Sequence, residues 1–300
     1  MVVAAVLVAA VLGAVGMAAP AFGMTPAGTR VAAEPTGPFT ASGPVVALGD
    51  SYTAGLLAPL ALTSVPLGCG RSTANYATLV AKALDARDLV DAACESAGAA
   101  GMTSSQKTPI GTNPPQLSSL SPADSLVMLT LGGDDLGFTH VLDTCMLRSF
   151  TDLDGSPCES HYTVGGEDQL ARLIVNEAPR LTAVLTAIHA KAPGARVLIL
   201  GYPDLFPQGG GCWPVVPITN GDIAYLRSTE VKLNGMLAAV AAATGTTYVD
   251  TYNATIGHDI CQNANVKDVE GLIPTSPAYS FHPNARGQAV MAAQVLAALR

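Results

Sequence analysis

Three short blocks of this chain combine residue types suited to acyl transfer: Gly49-Asp50-Ser51, Gly132-Gly133-Asp134-Asp135 and His282-Pro283-Asn284. A serine hydroxyl becomes nucleophilic when a neutral imidazole accepts its proton, and the oxyanion that follows needs donors aimed at it. Each block also has a plainer reading: Ser51 and Asp135 as helix caps, His282 as a structural residue ahead of a helix. Of the histidines at 140, 161, 189, 258 and 282, only His282 lies in a turn fixed by proline and followed by a helical pattern. Asp134 and Asp135 have no third carboxylate or imidazole at ligand spacing, so a metal site is the weaker reading.

These blocks need elements to hold them. Val45–Leu48 is short, apolar and β-branched, which suits a central strand covered on both faces, and Ser51 then stands at its carboxyl end. In open α/β sheets chemistry collects at that edge. Gly49 allows the tight turn there, and Gly55 allows close passage past a neighbour. Further strands are expected at Leu89-Val90, Ser125–Leu131, Arg196–Leu200 and Thr246–Val249. Apolar spacing predicts helices over Thr73–Ala86, capped by Ser72 or Thr73, and over Glu167–Lys191, where Pro179 should kink or interrupt it. Two more are expected over Asp222–Thr244, capped by Asn220 or Asp222 and stopped by Gly245, and over Ala285–Leu299. Ser96–Gly101 is a small-residue patch that permits close backbone approach or is a flexible loop. Residues 139–166 lack strong periodicity and read as a surface excursion. Gly201–Gly221, with the only tryptophan, Trp213, reads as a long functional or stapled loop. The alternation of strands and helices argues one doubly wound parallel sheet.

Residues 1–29 carry no charged side chain, and Val2–Ala19 is an apolar run ending in Ala19-Pro20-Ala21. This resembles an export signal over residues 1–23, although the basic n-region is missing and an uncleaved anchor is the alternative. Residues 24–42, rich in Pro and Gly, read as a flexible linker, and the folded domain is expected over 43–300. With 49% hydrophobic and 13% charged residues the chain has ample material for a core, and its formal charge of −8 argues against nucleic acid and anionic membrane surfaces as partners. Membrane contact is expected only through an uncleaved signal or a lipid substrate. Six cysteines in an exported chain point to disulfides, and their spacing suggests sequential pairs: Cys69 with Cys94, Cys145 with Cys158, Cys212 with Cys261.

Gly49-Asp50-Ser51-Tyr52, the Gly98 loop, Gly132-Gly133-Asp134-Asp135 and His282-Pro283-Asn284 occur in the order found in the GDSL or SGNH hydrolases. Over roughly Val45 to Arg300 the chain resembles this family, particularly secreted actinobacterial lipases and esterases with three disulfides. The resemblance implies a three-layer α/β/α sandwich with a flavodoxin-like, five-stranded parallel sheet, and ester hydrolysis through an acyl-enzyme. It implies Ser51 as nucleophile, His282 as base and then acid, and the main-chain N–H groups of Ser51 and Gly98 as oxyanion donors. No cofactor and no metal are implied, the substrate is a small-molecule or lipid ester, and a secreted monomer is expected.

Two positions depart from the family pattern. The third oxyanion donor is an Asn side chain in the family, and here that position is Asp134. An ionised Asp cannot donate and would oppose the oxyanion, so Asp134 must be protonated or point elsewhere. The triad acid, three residues before the histidine in much of the family, is replaced by Tyr279, whose main-chain carbonyl is the expected partner of the imidazole. Carbohydrate or cell-wall O-deacetylation on the same site, or a weakened protein that only binds, are the alternatives to lipase or esterase activity.

Overall fold

The apolar runs form the strands. A computed structural model describes residues 39–58 and 65–300, and its central sheet holds β1 (Val45–Gly49), β2 (Leu89–Asp91), β3 (Leu126–Thr130), β4 (Arg196–Leu200) and β5 (Thr247–Val249). All pairings are parallel and the spatial order is β2-β1-β3-β4-β5. This is the flavodoxin order, with β1 and β3 adjacent at the point where the winding reverses. Every residue of β1 and β3 is buried, as strands covered on both faces require. Each fully buried Val or Leu contributes about 1.5–3 kcal/mol relative to exposure.

The helices are α1 (Ser51–Ala54), α2 (Tyr76–Ala83), α3 (Ala99–Thr103), α4 (Phe138–Ser149), α5 (Pro157–Tyr162), α6 (Gln169–Lys191), α7 (Asn220–Thr244), α8 (Tyr252–Thr255) and α9 (Ala285–Ala298). Packing of α2 on α9, and of α6 on α7, makes the outer layers of an α/β/α sandwich. The long helix α6 runs through Pro179 without interruption, its buried face of Leu170, Ile174, Leu181, Leu185 and Ile188 held against the rest of the core. Gly245 ends α7 with φ +70°, as its sequence position suggests.

The cap residues differ from expectation. Asn75 caps α2 by accepting from Thr78 N (2.9 Å), while Ser72 donates instead to Ala58 O (2.7 Å). Thr219 caps α7, and the buried Asp222 turns away to accept from Cys158 N and Glu159 N at the start of α5. The region 139–166 is not a plain excursion: α4 and α5 form there, joined by the Cys145–Cys158 disulfide. Packing of Val141, Leu142 and Cys145 into the core decides this where periodicity is weak. The other bridges are Cys69–Cys94 and Cys212–Cys261.

The body of the domain also includes residues 39–42. Phe39 N donates to Leu299 O (3.1 Å), and the Arg196 guanidinium lies 5.9 Å from the Phe39 ring centroid. Both contacts tie to the closing helix and β4 a stretch that its composition assigns to a linker. Residues 1–38, where a signal segment over 1–23 and most of the linker were expected, lie outside the described residues.

Candidate active site

Two strand ends make the floor of the site. Gly49 and Gly132, at the ends of β1 and β3, both adopt φ +117°. At Gly49 a Cβ would fall 2.1 Å from Thr130 O, so only glycine allows β1 to turn so close to β3. The turn is secured across the sheet by Gln116, whose side chain accepts from Gly49 N (2.7 Å) and donates to Gly49 O (2.9 Å). Asp50 then caps α1 by accepting from Tyr52 N, so Ser51 is the first helical residue, not the cap. In that first turn N–H groups have no partner within the helix.

Beneath Ser51 lies a buried polar network. Asp50 accepts from Thr130 Oγ1 (2.5 Å) and from the Tyr202 hydroxyl (2.5 Å), and that hydroxyl accepts from Gly133 N (2.8 Å). Thr53 Oγ1 lies within hydrogen-bond reach of both Tyr76 OH and Thr130 Oγ1 and accepts from Thr130 N. Tyr202 thereby ties the two strand-end turns together. Burial raises the Asp50 pKa to about 6 against these hydrogen bonds, and burial followed by the Asp50 charge pushes the Tyr202 phenol well up. The phenol therefore keeps its proton and donates.

His282 reaches this floor from the far end of the chain. Its Nε2 lies 2.7 Å from Ser51 Oγ and its Nδ1 lies 2.8 Å from Ser280 O. A carbonyl can only accept, so Nδ1 carries the proton and Nε2 is free to take one from Ser51. Burial pushes the His282 pKa down to about 4, with the Ser280 bond opposing. The imidazole lies between the rings of Tyr52, 4.9 Å away by centroid, and Tyr279, 5.5 Å away.

The orienting carbonyl is thus Ser280's and not that of Tyr279. The Tyr279 carbonyl is already bound in a turn, accepting from His282 N (3.2 Å). That turn carries Phe281 at φ +60°, a left-handed conformation uncommon for a non-glycine residue. Phe281 is held there from both sides: its N–H donates to Glu270 O (3.0 Å), and its carbonyl accepts from Tyr52 OH (2.7 Å). The resulting twist points the Ser280 carbonyl back at the ring.

A second buried network clamps the histidine loop. His282 O accepts from Glu270 N (2.9 Å), and Asn284 N donates to Asp268 O (3.0 Å) on either side of the Val269–Pro283 bridge. The Glu270 carboxylate accepts from Asn284 Nδ2 (2.8 Å) and Thr275 N (2.7 Å), and Lys267 Nζ is 3.3 Å away. Burial acts to raise the Glu270 pKa, but these partners together hold it below its usual value. Asn284 in turn caps α9.

Gly98 stands just before α3, and its small size is required: a Cβ would fall 2.5 Å from the Asp135 carboxylate. That carboxylate accepts from Ala99 N (2.8 Å), so Asp135 caps α3, a helix distant in sequence from itself. Asp134 lines the same cavity as Ser51 and His282, as do Glu95 and Ser96 from the Gly98 loop; Gly98 itself does not. Burial, then the neighbouring charges of Asp50, Asp135 and Glu95, raise the Asp134 pKa to about 8. A carboxyl group with that pKa is mostly protonated at neutral pH, and a protonated carboxyl can donate.

From Ser51 the cavity, about 230 Å³, runs between α4, α6 and α7 and is walled by Val141, Leu142, Leu170, Leu226 and Leu233 among others. Tyr202, Gln116, Glu230 and Glu270 were not singled out by sequence reasoning. Tyr202 had a usable signal, since it follows β4 at the same carboxyl edge as Ser51. Gln116 acts on Gly49 across 67 residues, and no local pattern marks it, Glu230 or Glu270.

The chain matches the model of the GDSL-like lipase/acylhydrolase family over residues 47–290. It is 36% identical over 251 residues to Lipase 2 of Streptomyces coelicolor, covering 82% of each chain, and 29% identical over 310 residues to an esterase of Streptomyces scabiei, covering 90% of this chain and 88% of that one. Among solved structures it is similar to phospholipase A1 from Streptomyces albidoflavus NA297, with a TM-score of 0.70 and 28% identity over 86% of this chain and 98% of that one. An extracellular lipase from Streptomyces rimosus gives 0.67 and 26%, over 85% and 98%. With the strand order, the Ser51 turn and the four motif blocks in sequence, these similarities make the chain a carboxylester hydrolase belonging to the GDSL-like lipase/acylhydrolase family.

Proposed function

We propose that this hydrolase works through an acyl-enzyme on Ser51, with His282 as general base and then general acid, on esters of apolar acyl chains. The observation that carries the reading is the 2.7 Å contact between Ser51 Oγ and an Nε2 left unprotonated by the Nδ1–Ser280 bond. Oγ attacks the ester carbonyl carbon as its proton passes to Nε2. The tetrahedral intermediate then collapses, and the leaving alcohol takes that proton. Water, deprotonated by the same nitrogen, releases the acid and restores Ser51.

A main-chain carbonyl in place of a carboxylate fixes the tautomer but supplies no full charge to stabilise imidazolium. Oxyanion stabilisation therefore carries more of the barrier. The main-chain N–H groups of Ser51 and Gly98 and the neutral carboxyl of Asp134 fill that role in this reading. The low His282 pKa leaves the ring neutral and able to accept at neutral pH.

The cavity wall of leucine and valine supports an acyl chain as its occupant, and the names of the relatives, lipase, esterase and phospholipase A1, agree with fatty acyl esters. Export is part of the proposal, supported by the apolar leader and by three disulfides with no free cysteine among the described residues. Intact protein treated with a fluorophosphonate should gain one adduct, mapped to Ser51, and should cleave p-nitrophenyl esters of medium or long chains faster than the acetate. An unlabelled Ser51 in a turning-over enzyme would refute the nucleophile assignment, and preference for acetate would refute the acyl-chain reading.

A further inference from the structure

One wall of the cavity contains a residue that the hydrolytic scheme does not use. Along α7, Leu226, Thr229, Glu230 and Leu233 line the cavity at helical spacing. Leu226 and Leu233 complete an apolar surface. Glu230, a residue only 8% exposed, interrupts it with a carboxyl group. The other ionisable side chains lining the cavity, apart from three tyrosines, are Asp50, Glu95, Asp134 and His282; Glu230 is the one contributed by α7.

Its partners within the protein are few. Both carboxyl oxygens share a single donor, Leu205 N, at 3.3 Å each. Among the described residues no lysine, arginine or histidine pairs with it. The neighbouring hydroxyl of Thr229 is already committed, donating to Tyr225 O (3.0 Å). Burial, followed by the nearby charge of Asp204, pushes the Glu230 pKa well above the carboxylate range. Glu230 is thus a neutral acid with unused hydrogen-bonding capacity between the apolar side chains of Leu226 and Leu233. Burying a carboxyl group with one shared donor is costly, and a leucine would continue the wall.

We propose that Glu230 is a specificity-determining residue whose carboxyl hydrogen-bonds an oxygen substituent on the bound acyl chain, so that the cavity favours oxygenated acyl groups, hydroxyl- or oxo-substituted, over plain hydrocarbon chains. This rests on Ser51 being the acylated residue, since acylation there sends the chain into the cavity. The competing reading is structural: Glu230 shares its proton with Asp204, whose Oδ1 is buried without a hydrogen-bond partner, and merely steadies the segment from Tyr202 to Phe206. A structural role affects all esters alike. A recognition role affects one class.

The test is a positional scan on the full-length enzyme: kcat/KM for p-nitrophenyl decanoate against decanoates carrying a single hydroxyl or oxo group at successive carbons. The expected result is a preference confined to one or two positions in wild type. Glu230→Leu should lower that preference about tenfold, the worth of one hydrogen bond to a buried group, while plain decanoate is cleaved as well or better. Glu230→Gln, which keeps a donor of the same shape, should retain most of it. A flat scan in wild type overturns the proposal whether or not Glu230→Leu folds, and so does a Glu230→Leu enzyme that loses rate equally on every ester. Fluorophosphonate labelling in the same preparation separates the two claims: a flat scan with Ser51 labelled removes only the role of Glu230, whereas an unlabelled Ser51 in active enzyme removes the acyl-enzyme reading beneath it.

Discussion

Ser51 and His282 meet at 2.7 Å, yet they are held in place by different means. Ser51 follows a five-residue strand paired on both sides, and its turn is shaped by the glycine that ends β1 and by the Asp50 cap that follows it. His282 follows an irregular loop whose few main-chain bonds are supplemented by side chains: Glu270, Lys267, Asn284 and Tyr52 hold the turn that carries it. A main-chain ladder spreads its support over many bonds, so no single side chain is essential to it. A loop held by a buried ion pair is vulnerable at each partner, because removing one leaves the other charged and uncompensated. Nucleophile and base should therefore respond very differently to substitution near them.

The largest effect should come from the nucleophile itself. Ser51→Ala should lower kcat roughly 10⁴-fold or more, while circular dichroism and the unfolding midpoint stay near wild type because β1 and its turn do not depend on the hydroxyl. Undiminished turnover would break the comparison at its first term. Next, Glu270→Leu leaves Lys267 buried beside an apolar side chain and should destabilise the fold by about 3–5 kcal/mol, read from urea denaturation. In protein that remains folded, kcat should fall more than KM changes, since the loss is in the aim of His282. Glu270→Gln should recover part of both. Because the Glu270 pKa is depressed in the folded protein, its stabilising contribution is present above the unfolded pKa and should be lost as pH falls through the folded one. A variant with wild-type kcat and stability would show that the loop is held by its backbone after all.

The pH profile gives a sharper, smaller test. Protonation of His282 below about pH 4 and ionisation of Asp134 above about pH 8 should bound kcat/KM on the acid and alkaline sides. Asp134→Asn should abolish the alkaline limb, so that at one pH unit above it the variant outpaces wild type by about tenfold, and it should match or exceed wild type at neutral pH. An unchanged alkaline limb would assign that ionisation elsewhere. The smallest effect on rate is expected from replacing Cys145 and Cys158 together by serine. Opening that loop should cost about 3 kcal/mol on the chain-entropy view, visible as a lower unfolding midpoint, with turnover of a short ester at 25 °C little changed. A large loss of rate there would mean that α4 and the cavity wall need the bridge for their working shape.

Some of this was legible residue by residue. Val45–Leu48 and Ser125–Leu131 are recognisable as buried strands because unbroken β-branched and apolar runs have few other ways to be covered. Gly49 and Gly245 mark a strand-end turn and a helix stop because their backbone conformations exclude most other residues. The motif blocks pointed to Ser51 and His282 as the pair to watch. The caps were less legible: Asn75 and Thr219 each compete with chemically equivalent neighbours, and the winner is set by which side chain is already engaged elsewhere, as Asp222 is by α5.

What the sequence determined by itself is the five strands of the central sheet, their parallel winding and the strand-end serine, since these follow from local hydrophobic runs, glycine conformations and the rule that parallel strands need helical crossovers. What only the tertiary structure decided is the chemistry around that serine. The choice of Ser280 over Tyr279 as the carbonyl facing His282 depends on a turn bond and on Phe281 being held at positive φ by Glu270 and Tyr52. The protonation of Asp134 depends first on its burial and then on the charges of residues 50, 135 and 95 around it. The place of Glu230 in the cavity wall depends on how α7 lies against α6. In each case the deciding contacts join distant parts of the chain, and electrostatic environment is a property of what surrounds a group in space.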